Sequence, residues 1–230
     1  MLRLAALMTL TGLVLLAGFA GLWVTLPDPS TVRAKNPRTT TVMEQRRAEA
    51  RAQGRALRIH QSWVGLERIS PALVNAVLVS EDARFYAHGA FDWTEVEAAA
   101  DDSLRSGRAL RGASTLTQQL AKNLWLGTER SAWRKAKEAV LAVKLERSVP
   151  KRRILALYLN VAEWGDGVFG AEAAARYHFG VPASALAPEQ AAWLAAILPS
   201  PRTYKRGAIT RYSLERAQII FERMPSAQIP

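Results

Sequence analysis

Val79-Ser80-Glu81-Asp82-Ala83-Arg84-Phe85-Tyr86-Ala87-His88-Gly89-Ala90-Phe91-Asp92 is the stretch on which the reading of this chain turns. It follows Leu73, Val74, Val77 and Leu78, which are apolar and helically spaced. Ser70-Pro71 marks the start of that helix as N-cap and first helical residue. Glu81 and Asp82 then arrive where the helix ends. Phe85, Tyr86, His88, Phe91 and Trp93 follow closely. A carboxylate at the end of a buried helix and under aromatics is partly desolvated, which raises its proton affinity and suits it to general-base work near neutral pH. The competing reading is a surface acid pair at a fraying helix end, and this stretch alone leaves both open.

The chain has 230 residues, no cysteine and a net charge of +11. That length allows one membrane segment plus one ordinary globular domain whose core needs no disulfide. The lack of cysteine excludes disulfides, thiol catalysis and Cys-ligated metal. The positive balance favours a polyanionic partner: nucleic acid, an anionic membrane or a phosphorylated substrate.

Leu4 to Leu26 carry no charge. As a helix they rise about 34 Å, enough for a hydrocarbon core of roughly 30 Å. Residues 1–27 are therefore expected to be an uncleaved membrane anchor. A signal peptide cleaved near Gly18-Phe19-Ala20 is the competitor, but the apolar run continues past it. The flanking charges give little orientation. A large C-terminal domain behind a short N-terminus can translocate, and an outward-facing domain is expected. Residues 28–58 read as a linker and basic juxtamembrane segment. Residues 27–42 are rich in proline and threonine and suggest extended chain. Arg46, Arg47, Arg51, Arg55 and Arg58 recur about once per helical turn and suit either anionic headgroups or a solvated helix face. Residues 59–230 form the globular domain.

Further helices are expected from Asp92, as an acid cap, to about Ser106 with a stop at Gly107; behind a turn at Gly112 with Ser114 or Thr115 as cap; over about 131–148; from Pro150 towards Asn160; over an Ala-rich run closed by Gly180; from Pro188 to before Pro199; and over 208–224. No alternating strand run, repeat or low-complexity segment occurs, so the fold class is mostly α. Gln119, Lys122 and Asn123 share a face if helical, as do Ser114, Gln118 and Lys122. Such a strip suits a phosphorylated sugar, and equally a solvent-facing helix. Arg130, Arg134 and Glu138 run at i, i+4, i+8 among Lys135, Lys137 and Lys144. They read as a diphosphate clamp or as a surface ion-pair ladder.

Taken in order, four blocks resemble the biosynthetic peptidoglycan glycosyltransferases, glycosyltransferase family 51. They are Glu81-Asp82 with Phe85, His88, Phe91 and Asp92; Gly112 to Asn123; Arg134 to Glu138 with Leu145-Glu146; and Lys151, Ile154, Tyr158 and Asn160. Asn160 to Arg176 is similar to the monofunctional, membrane-anchored branch. The resemblance covers roughly residues 60–205 plus the anchor. One departure is Ala90, where the family usually has glycine. No Lys-Thr-Gly triplet occurs and few residues follow Lys205, so no penicillin-binding transpeptidase module is expected.

The resemblance implies a lysozyme-like α domain behind a single transmembrane helix, in the bacterial inner membrane with the domain on the periplasmic side. It implies polymerisation of lipid II onto a growing glycan strand, forming β-1,4 links with inversion and releasing polyprenyl diphosphate. By it, Glu81 is the general base and Glu138 the second carboxylate. Asp82 stands beside the base to orient or hold charge. Lys122, Arg130, Arg134 and Lys137 meet the diphosphates, while Ser114, Gln118, Gln119 and Asn123 hold sugars and phosphates. A divalent cation, Mg2+ or Mn2+, on the diphosphate is implied by the resemblance alone. His60, His88 and His178 are scattered, so no metal ligand set is expected. Membrane lipids and other cell-wall synthesis proteins are implied partners. Nucleic acid is not, because it explains neither the anchor nor the blocks. The rival readings are a lysozyme-like glycan-cleaving enzyme, which needs no Lys/Arg clamp, and a catalytically inactive wall-synthesis scaffold.

Overall fold

A computed structural model describes residues 2–107, 114–206, 209–227 and 229; the side chains of residues 2–8 and 14–16 stand outside that description. So do Gly112 and Ala113 of the second block, and with them the expected turn at Gly112. The domain is mostly helical, as expected.

Leu2–Thr25 form one unbroken helix, α1. Among the described residues no helix is long and apolar enough to cross a membrane. The C-terminal end of α1 is seated on the domain rather than free. Lys144 Nζ donates to Trp23 O at 3.0 Å and Leu26 O at 2.9 Å, which satisfies carbonyls that a helix end leaves open. The Lys144 ammonium and the Arg147 guanidinium also lie 5.5 and 5.2 Å from the Trp23 ring centroid. Lys144 therefore holds α1 and is not part of a phosphate clamp.

Residues 27–42 are not simply extended. They contain a short helix, α2 (Thr31–Ala34), whose Val32 is buried. Arg153 ties it down through Val32 O at 3.0 Å, Lys35 O at 3.1 Å and Asn36 Oδ1 at 2.8 Å. Helix α3 (Thr41–Ala52) is capped by Thr40 and buries Val42, Met43 and Ala50. Three arginines of α3 and the turn behind it make ion pairs within the protein. Arg46 pairs with buried Glu163 at 2.9 Å, Arg47 with Glu44, and Arg55 with Asp166 at 2.9 Å. Arg51 and Arg58, the other members of the stripe, are exposed.

The core is built on α4 (Pro71–Glu81). Leu73, Val74, Ala76, Val77, Leu78 and Val79 are all buried, so this helix is enclosed on every side. Ser70 occupies its N-cap position, but the hydroxyl donates to Leu186 O at 3.0 Å instead of capping. Helix α5 (Trp93–Ser106) follows, capped by Asp92 and ended by left-handed Gly107 as the sequence predicts. Then come α6 (Leu116–Ala121), α7 (Ala132–Ser148), α8 (Lys151–Val161), α9 (Ala171–Phe179), α10 (Pro188–Ile197) and α11 (Arg211–Arg223). Helices α10 and α11 pack against α4 on one side, while α6 packs against α7 and α8. Ser148-Val149-Pro150-Lys151 has Ser-x-x-Lys spacing. Yet Ser148 Oγ donates to Lys144 O and Lys151 pairs with Glu146, so both serve the α7–α8 junction.

A small sheet that periodicity did not signal completes the fold. Its strands are β1 (His60–Gln61), β2 (Glu163–Gly165) and β3 (Val168–Phe169), in the order β1-β3-β2. The pieces are two or three residues long, too short for alternation to register.

Candidate active site

Glu81 is the last residue of α4 and Asp82 is its C-cap. The helix end is held rather than fraying, with Asp82 buried, Glu81 half-buried and Asp82 N donating to Leu78 O, and the two carboxylates have different partners. Gln119 Nε2 donates to Glu81 Oε2 at 2.9 Å, and Tyr158 Oη donates to Gln119 Oε1 at 3.1 Å. Burial pushes the Tyr158 phenol well above its ordinary value, assisted by the charges of Glu81 and Asp82, so it stays a donor. That fixes the Gln119 amide with its NH2 towards Glu81. Burial also raises Glu81 above the usual carboxylate value, opposed by the Gln119 hydrogen bond and by the charges of Arg216 and Lys122.

Asp82 faces the other way. Its Oδ2 accepts from Leu116 N at 2.8 Å, at the N-terminus of α6, and its Oδ1 meets His88 Nε2 at 2.7 Å. Burial lowers the proton affinity of His88, but the hydrogen bonds to Asp82 and Gly89 O and the Asp82 charge outweigh it, so the net shift is upward. Asp92 Oδ2 lies 3.8 Å from the same His88 nitrogen. The histidines are thus not all isolated: Asp82, His88 and Asp92 bring donor atoms within 4.8 Å of one another. Asp82 Oδ2 is spent on Leu116 N and Asp92 Oδ1 on the N-terminus of α5, which leaves one oxygen of each carboxylate facing His88 Nε2. The trio ties the loop between α4 and α5 to α6. Ala90 fits this loop without strain, since no described non-glycine residue has a positive φ and Ala90 O accepts from Thr115 Oγ1 at 2.9 Å.

The second carboxylate, Glu138, is buried on α7 and ion-paired with both Arg134 and Lys135. Lys135 Nζ also donates to Ser114 Oγ at 2.9 Å and reaches Gln118 Oε1 at 3.5 Å. Gln118 closes a capping box with Thr115 and is buried, so it serves the start of α6. Lys135 is the residue that the sequence reading undervalued. Its partners lie across a turn from it on α7 and on a different element, which helical spacing cannot reveal. Lys137, expected in the clamp, lies 5.5 Å from the Trp133 ring centroid.

Lys122 lies between the acids electrostatically. Burial lowers its pKa, while the charges of Glu138 and Glu81 push the other way. Its N–H donates to Gln118 O in the register of α6, and Lys122–Leu126 form the π-helical turn that follows. Asn123 is half-buried in that turn, and Arg130 is exposed just before α7.

Val79, Ser80, Glu81, Asp82, Asp92, Glu95, Ser114 and Thr115 border a cavity of about 190 Å3, together with Arg223 of α11. Arg216, also on α11, brings its charge to bear on Glu81, and its buried Nε has no hydrogen-bond partner among the described residues. Both arginines lie outside the blocks. The sequence predicts their helix but gives no reason to turn it towards the acids.

A family model described as Transglycosylase matches residues 22–225. A biosynthetic peptidoglycan transglycosylase of Nitrosomonas eutropha is 46% identical over 198 residues, covering 86% of this chain and 81% of its own. One of Laribacter hongkongensis is 47% identical over 195 residues, covering 85% and 86%. One of Methylobacillus flagellatus is 49% identical over 171 residues, covering 74% of each.

Proposed function

The chain belongs to the transglycosylase family, a family of peptidoglycan glycosyltransferases acting in cell-wall synthesis, and on that premise we propose that it polymerises lipid II onto a growing glycan strand with Glu81 as general base. One observation carries this reading: Glu81 is a half-buried carboxylate of raised proton affinity, held by Gln119 through one oxygen and bordering the cavity. Ionised, it takes the proton of the acceptor sugar's 4-hydroxyl as that oxygen attacks the donor's anomeric carbon. Attack from the face opposite the leaving group inverts the anomeric centre and forms the β-1,4 link. The polyprenyl diphosphate departs as an anion.

Lys122, Arg134 and Lys135 meet that developing charge, with Arg130 and Lys137 at the outer edge. Glu138 holds Arg134 and Lys135 in place rather than transferring a proton, because both its oxygens are paired. Ser114 and Asn123 remain for the sugar and phosphate oxygens. A divalent cation, where one takes part, comes with the diphosphate, since the carboxylates beside the cations are already paired. Glycan cleavage requires a protonated acid and no such cation group.

We further propose that α1 anchors the enzyme in the inner membrane with the domain on the periplasmic side. Support comes from its apolar sequence and its 24-residue length, which spans about 36 Å. Trp23 at its domain end is of a type enriched at membrane interfaces. A lipid-embedded donor explains why the site would be tethered there.

The test is incubation of the purified, detergent-solubilised protein with labelled lipid II. Long products that a muramidase digests support the reading. Shortening of preformed glycan without polymer would replace it with the glycan-cleaving one.

A further inference from the structure

The cavity beside Glu81 carries more charge than the proposed proton transfer uses. Most polar side chains on its wall are already engaged. Ser80 Oγ donates to Val77 O and Thr115 Oγ1 to Ala90 O. Asp82 holds Leu116 N and His88, and Asp92 caps α5 through Thr94 N and Glu95 N. Glu95 and Arg223 are different. Glu95 stands in the first turn of α5, three residues after the cap. A capping box would turn its carboxylate back onto Asp92 N, but no such bond forms. Arg223 ends α11, and its guanidinium is not paired either. Among the described residues neither charge has a hydrogen-bond or ion-pair partner, and the two do not pair with each other.

Opposite charges that border one space of about 190 Å3 without meeting are complementary to a ligand group that carries both signs. An ammonium answers Glu95 and a carboxylate answers Arg223. Both residues are exposed, so they stand at the solvent side of the cavity, whereas Glu81 is half-buried. We infer that Glu95 and Arg223 form a subsite for a zwitterionic amino-acid group, which on lipid II is the side arm of the diamino acid in the peptide stem. The substrate rests on the functional reading above; the unspent pair of charges does not. The stem hangs from the disaccharide that delivers the reacting hydroxyl to Glu81, so peptide and sugar come to one cavity together. The pair reads the peptide and takes no part in the proton transfer, which makes it specificity-determining.

The experiment uses the full-length enzyme, Glu95→Gln and Arg223→Gln, with three forms of lipid II. One has the complete diaminopimelate arm. The second has the amine of that arm acetylated, and the third has lysine and so lacks the arm's carboxylate. On the complete form each substitution should lower kcat/KM about five-fold, the scale of one exposed charge pair. Glu95→Gln should cost almost nothing on the acetylated form, and Arg223→Gln almost nothing on the lysine form, because the partner is already missing. Both variants should melt like the wild type, since both side chains are exposed. Equal losses on all three forms would mean contact with the sugar or a general effect on the site, and would overturn the proposal. So would unaltered kinetics on the complete form. If the wild type polymerises none of the three, the functional reading fails. Titration with the free stem peptide, followed through the amide shifts of Glu95 and Arg223, then decides the subsite alone. Shifts at Glu95 that vanish when the amine is acetylated support it, and no shifts at millimolar peptide overturn it.

Discussion

Gln119 donates its amide N–H to Glu81 at 2.9 Å while Tyr158 holds the other end of the same amide at 3.1 Å. The base of the proposed reaction is thus oriented from α8 through α6. A hydrogen bond of this kind favours the charged carboxylate, against the burial that disfavours it. Gln119→Leu should therefore raise the Glu81 pKa further. Since the base must be ionised, the acidic limb of the kcat/KM–pH profile should move to higher pH. Tyr158→Phe should move it the same way by a smaller step, through a loosened amide. The pH–rate profiles of the two variants check this.

Glu81 also implies a trade between function and stability. Its proton affinity in the folded protein exceeds the unfolded value near 4.5. Below that pH the group is protonated in both states and costs nothing. As pH rises through it, the unfolded chain ionises first and stability is lost, the loss being complete above the folded pKa. Glu81→Gln should therefore be more stable than the wild type at neutral pH, with the gap closing below the unfolded value. Urea midpoints across pH measure it.

Glu138 compensates Arg134 and Lys135 in a buried position. Glu138→Ala leaves those cations facing Lys122 without their counter-charge. Stability should fall by roughly 1–3 kcal/mol, and polymerisation should fall with it. Glu138→Gln, which keeps the shape, should recover more of the stability than of the activity. Paired melting and rate measurements separate the two.

Lys144 caps the end of α1. Lys144→Met keeps the stem and removes the donors, leaving Trp23 O and Leu26 O without them. A loss of about 1–2 kcal/mol is expected, with faster amide exchange over residues 23–28 and a shifted Trp23 emission. Catalysis by the folded variant on soluble substrate analogues should be affected less than its stability.

Legibility in the sequence followed the range of the interactions. The bounds of α5, α7, α8 and α9 were readable because their caps and stops are local: Asp92 and Gly107, Ser131, Pro150, Gly180. The places of Glu81 at the end of α4 and of Glu138 on α7 were readable from order and spacing. The π turn was not, because nothing in residues 122–126 breaks a helix, and the side chains that bond Leu124 O and Thr128 N, Thr41 and Gln45, are far away in sequence. Arg46 and Arg55 read as part of a stripe for either headgroups or solvent, since their partners Glu163 and Asp166 are more than a hundred residues distant. Asp82, His88 and Asp92 are close in sequence, but only the fold of the loop shows that they meet. Arg216 and Arg223 reach the site because α11 packs on α4, a tertiary fact with no local sign.

The most direct test of the account is the rate of glycan polymerisation from lipid II by Glu81→Gln against the wild type, in a variant shown to be folded by its melting curve. The account predicts long glycan from the wild type and a loss of at least about a hundred-fold in Glu81→Gln, the contribution expected of a general base. A folded Glu81→Gln enzyme that polymerises at the wild-type rate would contradict it.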